Sequence, residues 1–189
     1  KELSAGASLA QKIHKYFYLN EEIIGKHFNQ YFISSVPLFD IPSYALIVNK
    51  ANNGDILMLF TLFEKKGINA FVLSTSIDKI LTNILNQSSE IDTKNISQEL
   101  CNRTHDLFSG ESVYCIICQF DLKNKVLKYS SNGLPVFVHR NHKMVEISLK
   151  ENEINKFESH KLSLNSGDII YLLSDGFINT DIYKNKEFV

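Results

Sequence analysis

The segment Asn165-Ser166-Gly167-Asp168-Ile169-Ile170-Tyr171-Leu172-Leu173-Ser174-Asp175-Gly176-Phe177 decides how this chain is read. A turn leads into an apolar strand, and the strand ends in a carboxylate followed by glycine. A carboxylate fixed where a strand stops, with a glycine that lets the backbone turn away, suits the holding of a metal ion or the polarisation of a phosphate. One carboxylate binds little. Function therefore depends on whether other segments bring partners to Asp175.

Composition sets the frame. The chain has 189 residues, 44% hydrophobic and 22% charged, enough for one domain with a substantial core. The net charge of −1 creates no field that would draw in nucleic acid. No apolar run reaches membrane-spanning length, and no basic-then-apolar leader stands at the start. The expectation is a cytoplasmic domain with no membrane contact by this segment, although a fragment of a longer membrane protein would read the same way. Cys101, Cys115 and Cys118 form no disulfide framework. Cys115 and Cys118 lie in the strand-like run Val113 to Cys118, where positions three apart point to opposite faces. They read as small buried apolar side chains, not as half of a metal site.

Hydrophobic periodicity gives the order of elements. Residues from about Ser4 to Tyr18 read as an amphipathic helix with Leu9, Ile13, Tyr16 and Phe17 on its apolar face, suited to docking on a partner or on the domain's own core. Tyr31-Phe32-Ile33 and Tyr44 to Val48 are strand-like. Asn52-Asn53-Gly54-Asp55 marks a hairpin turn into Ile56 to Phe60. Helices follow from about Asn69 to Asn86, and from an Asp92 or Thr93 cap to about Phe108. The second half is β-rich: Val113 to Leu122, Val126 to Tyr129, Pro135 to His139, Met144 to Ile147, His160 to Leu164 and Asp168 to Leu173. A polar stretch from Lys150 to Glu158 reads as a loop, and Asn165-Ser166-Gly167-Asp168 joins the last two strands. Strands, then a helix pair, then antiparallel hairpins predict an α+β fold.

This order resembles the SpoIIE/RsbU branch of the PPM (PP2C-like) metal-dependent protein phosphatases. Ala10-Gln11-Lys12-Ile13-His14 looks like the family's "A-x-x-I-Q" linker helix. Gln30-Tyr31-Phe32-Ile33 through Pro37 to Asp40-Ile41 looks like its "Y-F-I…P-x-D-I" strand. Tyr129 to Pro135 is similar to its "Y-x-x-A-G-x-x-P" turn, and residues 165–177 to its "L-x-x-G-D-x-I-Y-L-Y-S-D-G" run. The resemblance implies a four-layer α-β-β-α sandwich of two antiparallel sheets flanked by helices. It implies a linker or docking helix region over residues 1–28 and a phosphatase-like domain over residues 29–189.

Family members hydrolyse phosphoserine with two divalent ions, Mn2+ or Mg2+, that share a bridging water. The resemblance places the ligand of "S-G-D-F-Y" at Ala45 and that of "D-x-x-G-H-G" at Leu62, with its histidine at Lys66. Gly67 and Asp175 are retained. A fourth motif, "D-D-x-T", would lie beyond Val189, so the resemblance implies a longer natural chain and an unpaired sheet edge without it. Ala and Leu offer no lone pairs, and a lysine opposes a dication by Coulomb repulsion. The reading is therefore a degenerate, catalytically silent phosphatase domain of a bacterial signalling protein. It would need no cofactor and would act by protein binding, with Glu64, Lys65, Lys66 and Gly67 as a partner-binding loop.

By family analogy the partner is a phosphorylatable STAS-type anti-anti-sigma protein, or a second copy through the N-terminal helix. The alternatives are an active serine/threonine phosphatase using Asp175, Glu64 and acids beyond Val189, and a dimerisation or scaffold module. Other candidates fall away. Ser74, Thr75 and Ser76 sit in a predicted helix without a G-x-S-x-G elbow. His139 and His142 flank a hairpin turn, and Thr104-His105-Asp106 reads as a helix end. No Walker or dinucleotide glycine pattern occurs.

Overall fold

The computed structural model describes residues 2–18, 21–35, 41–51, 53–87, 91–108, 113–147 and 157–178. Helices α1 (Glu2–Tyr18) and α2 (Glu21–Gly25) precede a hairpin of β1 (Tyr44–Lys50) and β2 (Ile56–Phe63). Two long helices follow, α3 (Ile68–Gln87) and α4 (Thr93–Leu107). The second half holds β3 (Val113–Asp121), β4 (Val126–Asn132), β5 (Val136–Arg140), β6 (Lys143–Glu146), β7 (His160–Ser163), β8 (Ile169–Leu172) and α5 (Asp175–Ile178). Most of the predicted Lys150–Glu158 loop lies outside the described residues.

The strands form two antiparallel sheets, ordered β1-β2-β3-β4-β7 and β6-β5-β8, flanked by helices. Local chemistry explains the connections. Gly54, at φ +92°, closes the β1–β2 turn, where Asn53 Oδ1 accepts from the Asp55 N–H at 3.1 Å. Asn141 and His142, at φ +51° and +60°, make the tight turn between β5 and β6, so this histidine pair serves a hairpin. Asp92 caps α4 through the Lys94 N–H, and the Phe108 N–H closes its other end on Thr104 O.

Two cores result, one on each face of the five-stranded sheet. Ala45, Ile47, Leu57, Leu59, Phe63, Cys115 and Ile117 pack against Leu73, Ile77, Leu81, Ile96 and Leu100 of α3 and α4. Ile56, Phe60, Leu62, Ile116, Cys118 and Phe120 face the other way, toward Val136, Ile170 and Leu172 of the second sheet. Strands β2 and β3 are apolar at nearly every position because both of their faces are covered. Cys115 and Cys118 accordingly sit in different cores.

The structure corrects three expectations. First, α1 does not bury its predicted apolar face: Leu9, Tyr16 and Phe17 are 59%, 68% and 59% exposed. It docks through Ala10, His14 and Tyr18, an i, i+4, i+8 stripe that is almost fully buried. His14 Nε2 donates to Tyr44 O at 2.7 Å, and burial holds its pKa below the usual 6.5, so the ring is neutral. Second, Tyr31-Phe32-Ile33 forms no strand. The Tyr31 hydroxyl ties back to Glu21 O at 3.0 Å and Phe32 lies edge-on to Tyr171, so both rings anchor a coil segment. Third, the expected turn at Asn165 to Asp168 forms, closed by the Asp168 N–H on Asn165 O at 3.2 Å, but the strands it joins make no hairpin with each other: β7 pairs with β4 and β8 with β5.

That last connection carries the chain from one sheet to the other, and the Arg140–Asp168 ion pair secures it. Arg140 Nε and Nη2 donate to the two Asp168 carboxylate oxygens at 2.9 and 2.6 Å, and Nη2 also reaches Ser163 O at 2.7 Å. The Asn165 N–H adds a bond to Asp168 at 2.7 Å. Arg140 above all, and then the Asn165 N–H, hold the Asp168 carboxyl below 3.8. The unfolded chain takes up this proton first as pH falls. The pair's contribution is therefore full above 3.8 and is lost as pH drops through the folded value. Asp168→Asn is expected to lower the urea midpoint at neutral pH and to flatten its acid limb. An acid limb as steep as the parent's would show that the clamp contributes nothing.

Candidate functional site

Antiparallel pairing gathers five chain segments at one end of the sandwich. Strand β1 begins there at Tyr44 and β2 ends there, since Tyr44 pairs with Leu62. Leu62 pairs in turn with Tyr114 at the start of β3, and Cys115 with Asn132 at the end of β4. Gly133-Leu134-Pro135 then crosses to β5, whose first residue, Val136, pairs with Leu172 at the end of β8. Asp175 follows as the first residue of α5. The sandwich thus brings the backbone of these five segments to one rim.

Parity along the strands decides what each position presents. Directly paired residues share a face, so Tyr44, Leu62 and Tyr114 form one row on the face toward the second sheet. Leu62 is buried and Tyr44 and Tyr114 are half-buried in that core. Ala45 lies on the opposite face, fully buried among the helix-side residues. Ala45 and Leu62 are not brought together. Glu64, Lys65 and Lys66 form an exposed loop at the end of β2, and Gly67, at φ +63°, immediately precedes α3. Tyr114 reaches back to Glu64 Oε1 at 3.5 Å. The side chain of Asp175 lies outside the described residues.

Aromatic packing and hydrogen bonds fix this rim. Tyr44 stacks obliquely on Phe60, receives the edge of His14, and its hydroxyl pairs with Ser35 Oγ. Burial raises the Tyr44 pKa, against the smaller effect of Ser35, so it stays a neutral phenol. Gly133, at φ +71°, lies under the Tyr114 ring; a Cβ there would stand 2.6 Å from Cδ1. Asn132 donates to Val113 O at 3.1 Å, tying the end of β4 to the start of β3. Tyr44, Tyr114 and Asn132 escaped sequence reading, although strand parity from Leu62 points to both tyrosines.

The described side chains do not fit a pair of hard cations, which need several oxygen donors each. Two phenols and a leucine line the inner face, and Glu64 is the carboxylate that the described residues bring to the rim. Among the described residues no group of three or more His, Cys, Asp or Glu side chains lies close enough to hold a metal ion. None of the helices described is long and apolar enough to cross a membrane.

The family follows from comparison with known proteins. The model of the family "Stage II sporulation protein E (SpoIIE)" matches residues 66–189, more than half of the chain, which therefore belongs to the SpoIIE family. No curated protein sequence matches the chain. Among solved structures it is similar to the SiaA-PP2C domain of Pseudomonas aeruginosa, with a TM-score of 0.81 at 13% identity, over 95% of this chain and 74% of that one. It is similar to the PP2C phosphatase domain of SpoIIE from Bacillus subtilis, solved with a fragment of its regulatory domain, with a TM-score of 0.56 at 19% identity. That match covers 78% of this chain and 44% of the other. RsbX, solved in complex with magnesium, gives a TM-score of 0.55 at 15% identity, over 82% of this chain and 75% of that one. Identities this low establish the fold alone.

The rim yields a direct test of its rigidity. Gly133→Ala combines a left-handed backbone with a Cβ in the Tyr114 ring, and is expected to cost about 1–3 kcal/mol. Urea unfolding reads this loss. Removing the ring as well, in the Gly133→Ala/Tyr114→Ala pair, relieves the clash but not the backbone strain, so the two losses are expected to be less than additive.

Proposed function

We propose that this domain is a pseudophosphatase: a SpoIIE-type fold that recognises a protein partner and does not turn over phosphate. One observation carries the reading. The row Tyr44, Leu62 and Tyr114 closes the inner face of the rim with two phenols and an aliphatic side chain, none of which supplies the carboxylate oxygens that hard dications favour, and Ala45 points away from it. Asp175 is the family's remaining ligand in this reading, and one carboxylate cannot cage two metals. The exposed loop Glu64-Lys65-Lys66, held between β2 and α3, is the surface assigned to the partner. Its lysines suit an acidic or phosphorylated protein, and family analogy points to a STAS-type phosphoprotein.

Calorimetry with Mn2+ and an assay with a phosphoserine peptide test this directly. Heat no greater than that of buffer dilution, and no phosphate release, are expected. Tight stoichiometric binding or turnover would instead establish the active phosphatase, the alternative that uses Asp175, Glu64 and acids beyond Val189.

A second reading, a self-associating signalling module, draws support from α1. Its buried stripe docks on this domain while Leu9, Tyr16 and Phe17 face outward. A second copy is the occupant this reading names. Leu9→Glu with Phe17→Glu leaves Ala10, His14 and Tyr18 in place. It is expected to turn any dimer seen by analytical ultracentrifugation into monomer, and a dimer that persists would remove α1 from the interface.

A further inference from the structure

Cys101 on α4 and Cys115 on β3 lie with their sulfurs 3.9 Å apart, and both are free thiols. Sequence spacing directs attention to Cys115 and Cys118, which parity sends to opposite cores. The sheet instead turns Cys115 toward α4, where Cys101 meets it. The two thiols are unequal. Cys101 is partly exposed, whereas Cys115 is fully buried. Asn132 Nδ2 also approaches Cys101 Sγ at 3.6 Å, from the end of β4 that leads into the Gly133 turn.

We propose that Cys101 and Cys115 are a site of oxidative modification, an attacking and a resolving thiol that close into a disulfide pinning α4 to β3 beside the rim. Hydrogen bonding from Cys115, and then from Asn132, holds the Cys101 thiol below its ordinary range against the opposing effect of burial. Cys115 is pushed well up by the hydrogen bond to Cys101 and by burial, so it keeps its proton. Accessibility sets the order of events with hydrogen peroxide as oxidant, because Cys101 is the partly exposed sulfur and Cys115 the buried one. The Cys101 thiolate attacks one peroxide oxygen; the S–O bond forms, the O–O bond breaks, and hydroxide leaves to become water with a proton. Cys101 is then a sulfenic acid. Cys115 sulfur attacks Cys101 sulfur, the S–S bond forms, and the S–O bond breaks. The hydroxyl departs with the Cys115 proton as a second water. Two thiols have lost two electrons and two protons, and the peroxide has taken them up.

Neither the family's hydrolytic chemistry nor the partner-binding reading uses these sulfurs, so the inference stands apart from both. Closure would replace the thiol that Asn132 contacts by a disulfide sulfur, at the strand end that feeds the Tyr114–Gly133 contact. The modification thus lies where a change of bonding reaches the rim.

Peptide mapping by mass spectrometry after graded peroxide treatment of the folded chain tests the proposal. An intramolecular Cys101–Cys115 link that reductant reverses is expected. Native alkylation is expected to be at least about tenfold faster at Cys101 than at Cys118. Cys118→Ser should leave the link unchanged, and Cys115→Ser should let a 1,3-dione reagent trap sulfenic acid at Cys101. A link between other cysteines or between two chains overturns the proposal. So does a folded protein whose Cys101 resists peroxide or reacts no faster than Cys118.

Discussion

Strands β2 and β3 are covered on both faces, and the rest of the molecule follows from that. A strand in this position must be apolar at even and odd positions alike, since one set meets the helices and the other meets the second sheet. Shifting the register by one residue would exchange the two cores entirely. Leu57, Leu59, Phe63 and Ile117 on one face, and Ile56, Phe60, Leu62, Ile116 and Phe120 on the other, oppose such a slip. The sheet therefore holds every residue of the rim to a definite face, and a residue's parity matters as much as its chemistry.

The rim shows what this means for function. Tyr44, Leu62 and Tyr114 are paired neighbours and form one surface, although they come from three separate segments. Ala45 differs from Tyr44 by one position and belongs to the other core. The same rule separates Cys115 from Cys118 and delivers Cys115 to Cys101. The inner rim of this SpoIIE-family domain is lined by aromatic and aliphatic groups at Tyr44, Leu62 and Tyr114. Ala45 and Leu62 belong to the two cores themselves, so the rim and the cores share residues there.

The connections between layers are less redundant than the cores. One arginine–aspartate pair secures the passage from β7 to β8, and one glycine permits the passage from β4 to β5. The N-terminal helix depends on a narrow stripe centred on a neutral, buried histidine. Each of these contacts joins elements far apart in sequence.

Much of this was legible in the chain itself. The hairpin at Gly54, a helix cap at Asp92 or Thr93, the two long helices and the strands from Val113 onward follow from turn chemistry, capping and apolar periodicity, because these are local effects. The α+β class and the family resemblance followed from their order. Tertiary structure decided the remainder. It chose the Ala10-His14-Tyr18 stripe of α1 over the more apolar face, because complementarity to β1 and α3 outweighed hydrophobicity. It denied Tyr31-Phe32-Ile33 a strand, because a strand requires a partner edge as well as propensity. It sent β7 and β8 to different sheets, and it put Ala45 and Leu62 on opposite faces. Those outcomes depend on which distant segments pair and in what register, and no short stretch of sequence carries that information.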